Sequence, residues 1–214
     1  MRVVLLGPPG AGKGTQARHL VDRFGLAYVA TGDIFRSNVA DGTELGRLAK
    51  GYLDAGELVP DEVTVRMVMD TIDHRPDGFI LDGFPRTIPQ AEALERELAA
   101  RDAPLSSALA FLLDEEVAVK RIAGRRTCAS CQTPYNLFFG PPRRDEVCDR
   151  CGGPLVQRTD EDDETVRRRL EVYRESTAPL LKFYSDRGLL REVDADGTED
   201  EVTGRVLAAL ADLA

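Results

Sequence analysis

Residues 3–15 read Val-Val-Leu-Leu-Gly-Pro-Pro-Gly-Ala-Gly-Lys-Gly-Thr, a short apolar strand that runs through a glycine-rich loop into the start of a helix. Few chain geometries suit such a segment. Glycines let successive backbone N–H groups turn inward, the helix N-terminus adds positive potential, and Lys13 can reach the terminal phosphates of a nucleotide. The loop Gly7–Thr15 therefore predicts a phosphate site at the edge of an α/β sheet, against the plainer alternative of a strand-to-helix turn without a ligand. One feature departs from the general pattern. Gly14 stands directly after the lysine where Ser or Thr is usual, and Thr15 comes one place late, which puts the customary hydroxyl ligand for Mg²⁺ in question.

The rest of the chain repeats the alternation of short apolar runs and amphipathic stretches, the pattern of a parallel sheet covered by helices. Five strands are predicted, at Val3–Leu6, Ala27–Ala30, Phe79–Leu81, Ala108–Leu112 and Leu189–Val193. Helices are predicted at Gly14–Phe24, Asp61–Ile72, Pro89–Arg101, Glu115–Gly124, Glu164–Tyr184 and Glu199–Leu213, the last opened by the capping box Thr198-Glu199-Asp200-Glu201. Two segments break the rhythm: the glycine-punctuated, mostly helical Thr31–Pro60, and Thr127–Gln157, which holds all four cysteines. The expected organisation is a core of residues 1–29, 60–120 and 159–214 carrying two inserted mobile lobes, 30–59 and 121–158.

Charge separates the second lobe from the body. Residues 120–158 carry a net +5, whereas the whole 214-residue chain carries −9, leaving −14 elsewhere. A general nucleic-acid binder draws on phosphate neutralisation by Lys and Arg, so an acidic body argues against one. No apolar run approaches the ~18 residues of a membrane span, and the N-terminus lacks the pattern of a signal peptide, so the expected compartment is the cytoplasm.

In a reducing compartment the cysteines need a role other than disulfides. Cys128-x-x-Cys131, then sixteen residues, then Cys148-x-x-Cys151 is the spacing of a four-thiolate zinc site. Four ligands leave no open position, which makes such a metal structural. Disulfide pairing and a nucleic-acid zinc ribbon are the alternatives. Tyr135, Phe138 and Phe139 lie between the two pairs and are expected to pack around the metal, with Tyr135 also available to a base.

Asp82-Gly-Phe-Pro-Arg86 leaves the C-terminal end of a predicted strand, where α/β sheets bind ligands, and Asp82 there could hold a Mg²⁺-bound water. Arg121 and Arg125 are four apart on the helix entering the basic lobe, while Arg158 and Arg169 flank its exit. Arg126, Arg167 and Arg168 read as a solvated face. The two histidines, His19 and His74, read as ordinary surface or packing residues.

Together these segments resemble the adenylate kinase family in its long-lid, zinc-containing form. The residues that carry the resemblance are Gly7–Thr15, Thr31-Gly-Asp-Ile-Phe-Arg36, Asp82-Gly-Phe-Pro-Arg-Thr-Ile-Pro-Gln90, Gly124-Arg-Arg126, the paired Cys-x-x-Cys and Glu164-Thr-Val-Arg-Arg-Arg169. The resemblance implies reversible transfer of the terminal phosphoryl group of Mg·ATP to AMP, giving two ADP, in adenine nucleotide homeostasis. It also accounts for Lys-Gly-Thr, because the family's loop carries the same run and its Mg²⁺ is held by nucleotide oxygens and waters, here with Asp33 and Asp82 for the water shell.

For ATP the resemblance implies Gly10, Ala11, Gly12, Lys13, Gly14, Thr15, Arg121 and Arg125, with base contacts from Pro134-Tyr135 and the Gly197–Glu199 turn. For AMP it implies Thr31, Arg36, Glu57, Leu58, Val59, Gly83, Phe84, Pro85, Arg86 and Gln90, the region of Thr31 and Gln90 reading adenine. Glu57 and Glu199 are expected to act through backbone more than side chain. Arg158 and Arg169 resemble the pair that grips the transferring phosphoryl and the AMP phosphate, so Lys13, Arg86, Arg121, Arg125, Arg158 and Arg169 form the expected catalytic set. One structural Zn²⁺ per chain is expected at Cys128, Cys131, Cys148 and Cys151, where some relatives have Asp as the last ligand. The implied state is a monomer that binds ATP and AMP or ADP, without nucleic acid or membrane. Rival readings are a kinase for another nucleoside monophosphate and a nucleotide-dependent switch.

Overall fold

The computed structural model describes residues 1–73, 78–157 and 163–213. In chain order the strands are β1 (Arg2–Leu6), β2 (Ala27–Ala30), β3 (Phe79–Asp82), β4 (Ser107–Leu112), β5 (Arg125–Cys128), β6 (Pro134–Asn136), β7 (Leu155–Val156) and β8 (Leu190–Asp194). The α-helices are α1 (Lys13–Phe24), α2 (Thr31–Ala40), α3 (Glu44–Asp54), α4 (Asp61–Ile72), α5 (Ile88–Ala100), α6 (Glu115–Ala123), α7 (Asp163–Val172), α8 (Pro179–Ser185) and α9 (Glu199–Ala209).

Five strands form a parallel sheet in the order β2-β3-β1-β4-β8. The continuous apolar runs of the sequence reflect burial on both faces, since side chains alternate between faces with period two. Val4, Leu6 and Leu81 pack towards Val68, Leu94 and Leu180 of α4, α5 and α8. Val3, Leu5 and Ile80 pack the opposite way, against Leu20 of α1 and Val202 and Val206 of α9. The predicted strands and the fold class match this sheet, with ends shifted by at most one residue.

Residues 31–54 form α2 and α3, which cross closely: a Cβ at Gly46 would meet the Asn38 carbonyl oxygen at 2.0 Å. The cysteine-bearing segment builds its own antiparallel sheet, β6-β5-β7, whose short strands the sequence patterning did not reveal.

The stretch predicted as one helix over Glu164–Tyr184 is three pieces. After α7 the backbone widens into a π turn over Tyr173–Thr177, in which Ala178 N donates to Tyr173 O at 2.8 Å, and α8 then restarts at Pro179. Proline supplies no N–H to the ladder, so a helix reaching it must rearrange. The last helix ends at Ala209 and passes into a short 3₁₀ turn, Ala211–Leu213. Its predicted capping box is formed, with Glu201 Oε2 accepting from Thr198 N at 2.8 Å. Among the described residues no helix is long and apolar enough to cross a membrane.

Candidate functional site

The phosphate loop lies between the C-terminal end of β1 and the N-terminus of α1. Gly10 has φ +84°, and a Cβ there would stand 2.7 Å from the Ala118 carbonyl oxygen, so both conformation and space require glycine. Lys13 folds back over the loop, its Nζ donating to Gly7 O at 2.8 Å and Pro8 O at 3.0 Å. Burial lowers its pKa to about 8; the Asp82 carboxylate opposes that shift, and the charges of Arg86, Arg125 and Arg169 add to it. This ammonium group is poised to gain from an arriving polyphosphate.

Asp82 Oδ2 accepts from the Tyr28 hydroxyl at 2.9 Å. Burial, followed by the nearby carboxylate, pushes the Tyr28 phenol far above its ordinary range, so it remains a hydrogen-bond donor. A Cβ at Gly14 would lie 3.2 Å from the Tyr28 hydroxyl and 3.5 Å from Asp82 Oδ2. The departure from Ser or Thr after the lysine thus leaves room for this carboxylate and its phenol partner.

Around the loop runs an open cleft of about 230 Å³. Gly10, Ala11, Gly12, Lys13, Gly14, Thr15, Asp33, Arg36, Asp82, Gly83, Pro85, Arg86, Arg125, Pro134 and Arg169 all line it, so residues far apart in sequence converge on one space. Asp33 pairs with Arg36. The Arg86 Nε donates to Gly83 O at 2.8 Å, and Thr177 of the π turn donates to Arg86 O at 2.9 Å, which fixes the backbone of that arginine. Gly32, Leu58, Gly83 and Arg86 also border a smaller pocket of about 30 Å³, walled by Thr31, Glu57, Val59 and Gln90 among others. Two compartments therefore meet at Arg86.

The side chains of Arg121, Phe84, Glu57 and Glu199 are engaged with protein groups. Arg121 does not line the cleft; Nη1 donates to Ala195 O at 3.0 Å and Nη2 to Gly197 O at 3.4 Å, so it braces the 195–197 turn. Burial, opposed by Asp196, lowers its pKa. The Phe84 side chain belongs to the core at 0% exposure, leaving only its backbone for the site. Glu57 commits its carboxylate to Arg168 at 2.7 Å, and Glu199 Oε1 lies 2.7 Å from His19 Nε2. Arg158 and His74 lie outside the described residues.

The four cysteine sulphurs lie within 4.8 Å of one another, with Cys128 and Cys151 at 3.5 Å and Cys131 and Cys148 at 3.6 Å. All four are free thiols. Tetrahedral Zn–S bonds of about 2.3 Å would set sulphurs about 3.8 Å apart, so this cluster fits a thiophilic ion and not a pair of disulfides. Tyr135 serves the cluster: its hydroxyl lies 3.5 Å from Cys148 Sγ and accepts from Asp149 N at 2.8 Å. That phenol, more than any other neighbour, holds the Cys148 thiol down to about 6.

The sequence model for adenylate kinase matches residues 5–189. The chain belongs to the adenylate kinase family. It is 54% identical over 212 residues to an adenylate kinase of Acidothermus cellulolyticus, covering 98% of both chains. It is 50% identical over 216 residues to one of Streptomyces coelicolor, again covering 98% of each, and 49% identical over 203 residues to one of Archaeoglobus fulgidus, covering 94% of this chain and 92% of the relative.

Two contacts beside the cleft were not visible in the sequence. Tyr28 reads there only as an aromatic strand residue, yet it supports Asp82. Arg18, on α1, donates to Gln132 O at 3.1 Å and thereby ties the cysteine-bearing lobe down over the adenylate kinase phosphate loop. No spacing rule links residues 114 positions apart.

Proposed function

We infer that the chain transfers the terminal phosphoryl group of Mg·ATP to AMP, reversibly, yielding two ADP, with ATP along the phosphate loop and AMP in the smaller pocket. The observation that carries this reading is the junction of two compartments at Arg86, with Lys13, Arg36, Arg125 and Arg169 on the walls of the cleft. A donor and an acceptor phosphate meeting there would be surrounded by cations. The attacking oxygen of AMP is already anionic at neutral pH, so the reaction needs alignment and charge neutralisation rather than a general base. Among the described residues no histidine lines the cleft, in keeping with that demand.

Lys13, Arg86, Arg125 and Arg169 are assigned to the transferring phosphoryl, with Arg158 as a further member on the strength of the resemblance. Thr31, Arg36, Leu58, Val59, Gly83, Pro85 and Gln90 are assigned to AMP, together with the backbone of Glu57 and Phe84. Arg121 is assigned an indirect role at ATP, through the 195–197 turn. When bound with ATP, Mg²⁺ would supply positive charge against the phosphate oxygens. Asp33 and Asp82 offer hard oxygen acceptors for the waters of such an ion. Zn²⁺ is assigned to the four thiolates, where it would hold together a lobe with little apolar core.

Residues 30–59 and 121–158 are read as lobes that close over AMP and ATP on the remaining core and exclude water as a competing acceptor. The working form is read as a cytoplasmic monomer without nucleic-acid or membrane partners. The test is an acceptor series: ADP formation from Mg·ATP with AMP, UMP, CMP or GMP. AMP is expected to be preferred clearly. Equal use of the four would give a general monophosphate kinase, and ATP turnover indifferent to all of them would give a switch.

A further inference from the structure

Gln90 is held at both ends. Its Oε1 accepts from the Arg86 backbone N–H at 2.7 Å, its Nε2 donates to Asp61 Oδ1 at 2.7 Å, and the residue is 2% exposed. An amide turned over has nearly the same shape, so its partners alone decide which end is oxygen. These partners do decide. A backbone N–H can only donate and an ionised carboxylate can only accept, so the reversed amide would set donor against donor at Arg86 and acceptor against acceptor at Asp61.

Asp61 is itself fixed. It opens α4, where a helix N-terminus favours negative charge, and its Oδ2 accepts from the Thr87 hydroxyl at 2.9 Å. The same hydroxyl caps α5 by accepting from Gln90 N at 3.2 Å. Asp61 does not wall the small pocket, whereas Gln90 does. The carboxylate therefore reaches the pocket wall through the amide.

Each end of the Gln90 side chain keeps one hydrogen-bonding capacity in reserve, a lone pair on Oε1 and a hydrogen on Nε2. A 6-aminopurine presents an amino donor beside a ring-nitrogen acceptor. A 6-oxopurine presents a carbonyl acceptor beside a ring N–H, the same two positions with their roles exchanged. With the base pose set by the pocket walls, an amide that cannot turn over matches only one of these orders.

We propose that Asp61 is a specificity-determining positioning residue, which locks the Gln90 amide and so sets the acceptor pocket for a 6-amino rather than a 6-oxo purine. This rests on the reading of the smaller pocket as the monophosphate site. It assigns to a residue outside the pocket wall the choice between bases that differ little in size.

The experiment compares the full-length wild type with Asp61→Ala and Asp61→Asn, measuring kcat/KM for nucleoside diphosphate formation from Mg·ATP with AMP and with IMP. In Asp61→Ala the ratio of IMP to AMP is expected to rise about tenfold or more, the scale of a lost hydrogen bond to a charged group, carried by KM rather than kcat. Asp61→Asn can turn either its amide oxygen or its NH₂ to Gln90, so it is expected to give a ratio between those of the wild type and Asp61→Ala. A ratio that stays the same in Asp61→Ala while both acceptors weaken together would overturn the proposal and leave Asp61 a helix-stabilising residue. Independently of whether the alanine variant folds, the Gln90 side-chain amide of the wild type should exchange its hydrogens with solvent slowly by NMR. Exchange as fast as that of an exposed glutamine would contradict the lock. A wild type that makes no ADP in response to AMP would defeat the functional reading itself, which keeps the two failures apart.

Discussion

Arg168 Nε donates to Glu57 Oε1 at 2.7 Å, joining α7, the helix that follows the cysteine-bearing lobe, to the turn after α3 in the first lobe. The Thr165 hydroxyl reaches Asp54 O at 3.4 Å beside it. A contact between side chains 111 residues apart in sequence forms only when the first lobe lies against α7. The ion pair ties these two segments together, and it commits the Glu57 side chain to protein rather than nucleotide.

Glu57→Gln should therefore raise the KM for AMP by less than about fivefold, as for a half-exposed ion pair, while kcat changes little. Steady-state kinetics at varied AMP checks this. A kcat loss on the scale expected for the arginine cluster would mean that Glu57 acts directly on substrate.

Lys13 carries a proton linkage. Its pKa of about 8 in the nucleotide-free protein is set chiefly by burial, and a bound polyphosphate favours the charged form, so the pKa rises on binding. Below about 8 the amine is already protonated; above it, ATP binding must take up a proton, and affinity should fall by up to about tenfold per pH unit. Calorimetry of Mg·ATP binding in buffers of different ionisation enthalpy should register proton uptake at pH values above the lysine pKa and little at neutral pH. Uptake that is equally small on both sides would contradict this assignment.

Metal removal should cost stability. Cys128 is fully buried and Cys148 nearly so, yet among the described residues the cluster around them includes only Leu155 as a further buried apolar residue. Chelation under reducing conditions, or Cys128→Ser, should lower the unfolding midpoint by more than about 4 °C, the shift that ~1 kcal/mol produces at this chain length. Metal analysis should find zinc in equal ratio to protein. An unchanged midpoint after verified metal loss would remove the structural role.

Arg86→Ala should lower kcat by about 10³-fold or more, the scale of an arginine that serves a phosphoryl-transfer transition state. Its backbone contacts to Gln90 and Thr177 survive the substitution, so the unfolding midpoint should move by less than about 4 °C. Near-normal turnover in the folded variant would take Arg86 out of the mechanism.

The parts that could be read from sequence are those governed by local rules. Val3–Leu6 and Phe79–Leu81 announce buried parallel strands because both sheet faces are covered, and the phosphate loop announces itself because its glycines answer a backbone requirement. The cysteine spacing likewise encodes ligand geometry at short range. The parts that stayed hidden depend on tertiary approach. The spacing of Arg121 and Arg125 predicts one helix for both, but α6 ends at Ala123 and Arg125 opens β5; Arg125 lines the cleft, whereas Arg121 turns to the carbonyl acceptors of the 195–197 turn. Asp61 reads as an ordinary acidic residue in the first turn of a helix until α5 brings Gln90 and Thr87 to it. The π turn before Pro179 was also unreadable, since the pattern of buried positions there passes for a continuous helix.

Phosphoryl transfer from ATP to AMP is tested by the stoichiometry of ADP formed from Mg·ATP per AMP consumed, with an AMP-free control. Two ADP should form for each AMP, with ADP formation negligible when AMP is withheld. ADP that accumulates together with inorganic phosphate at the same rate in the absence of AMP would contradict it.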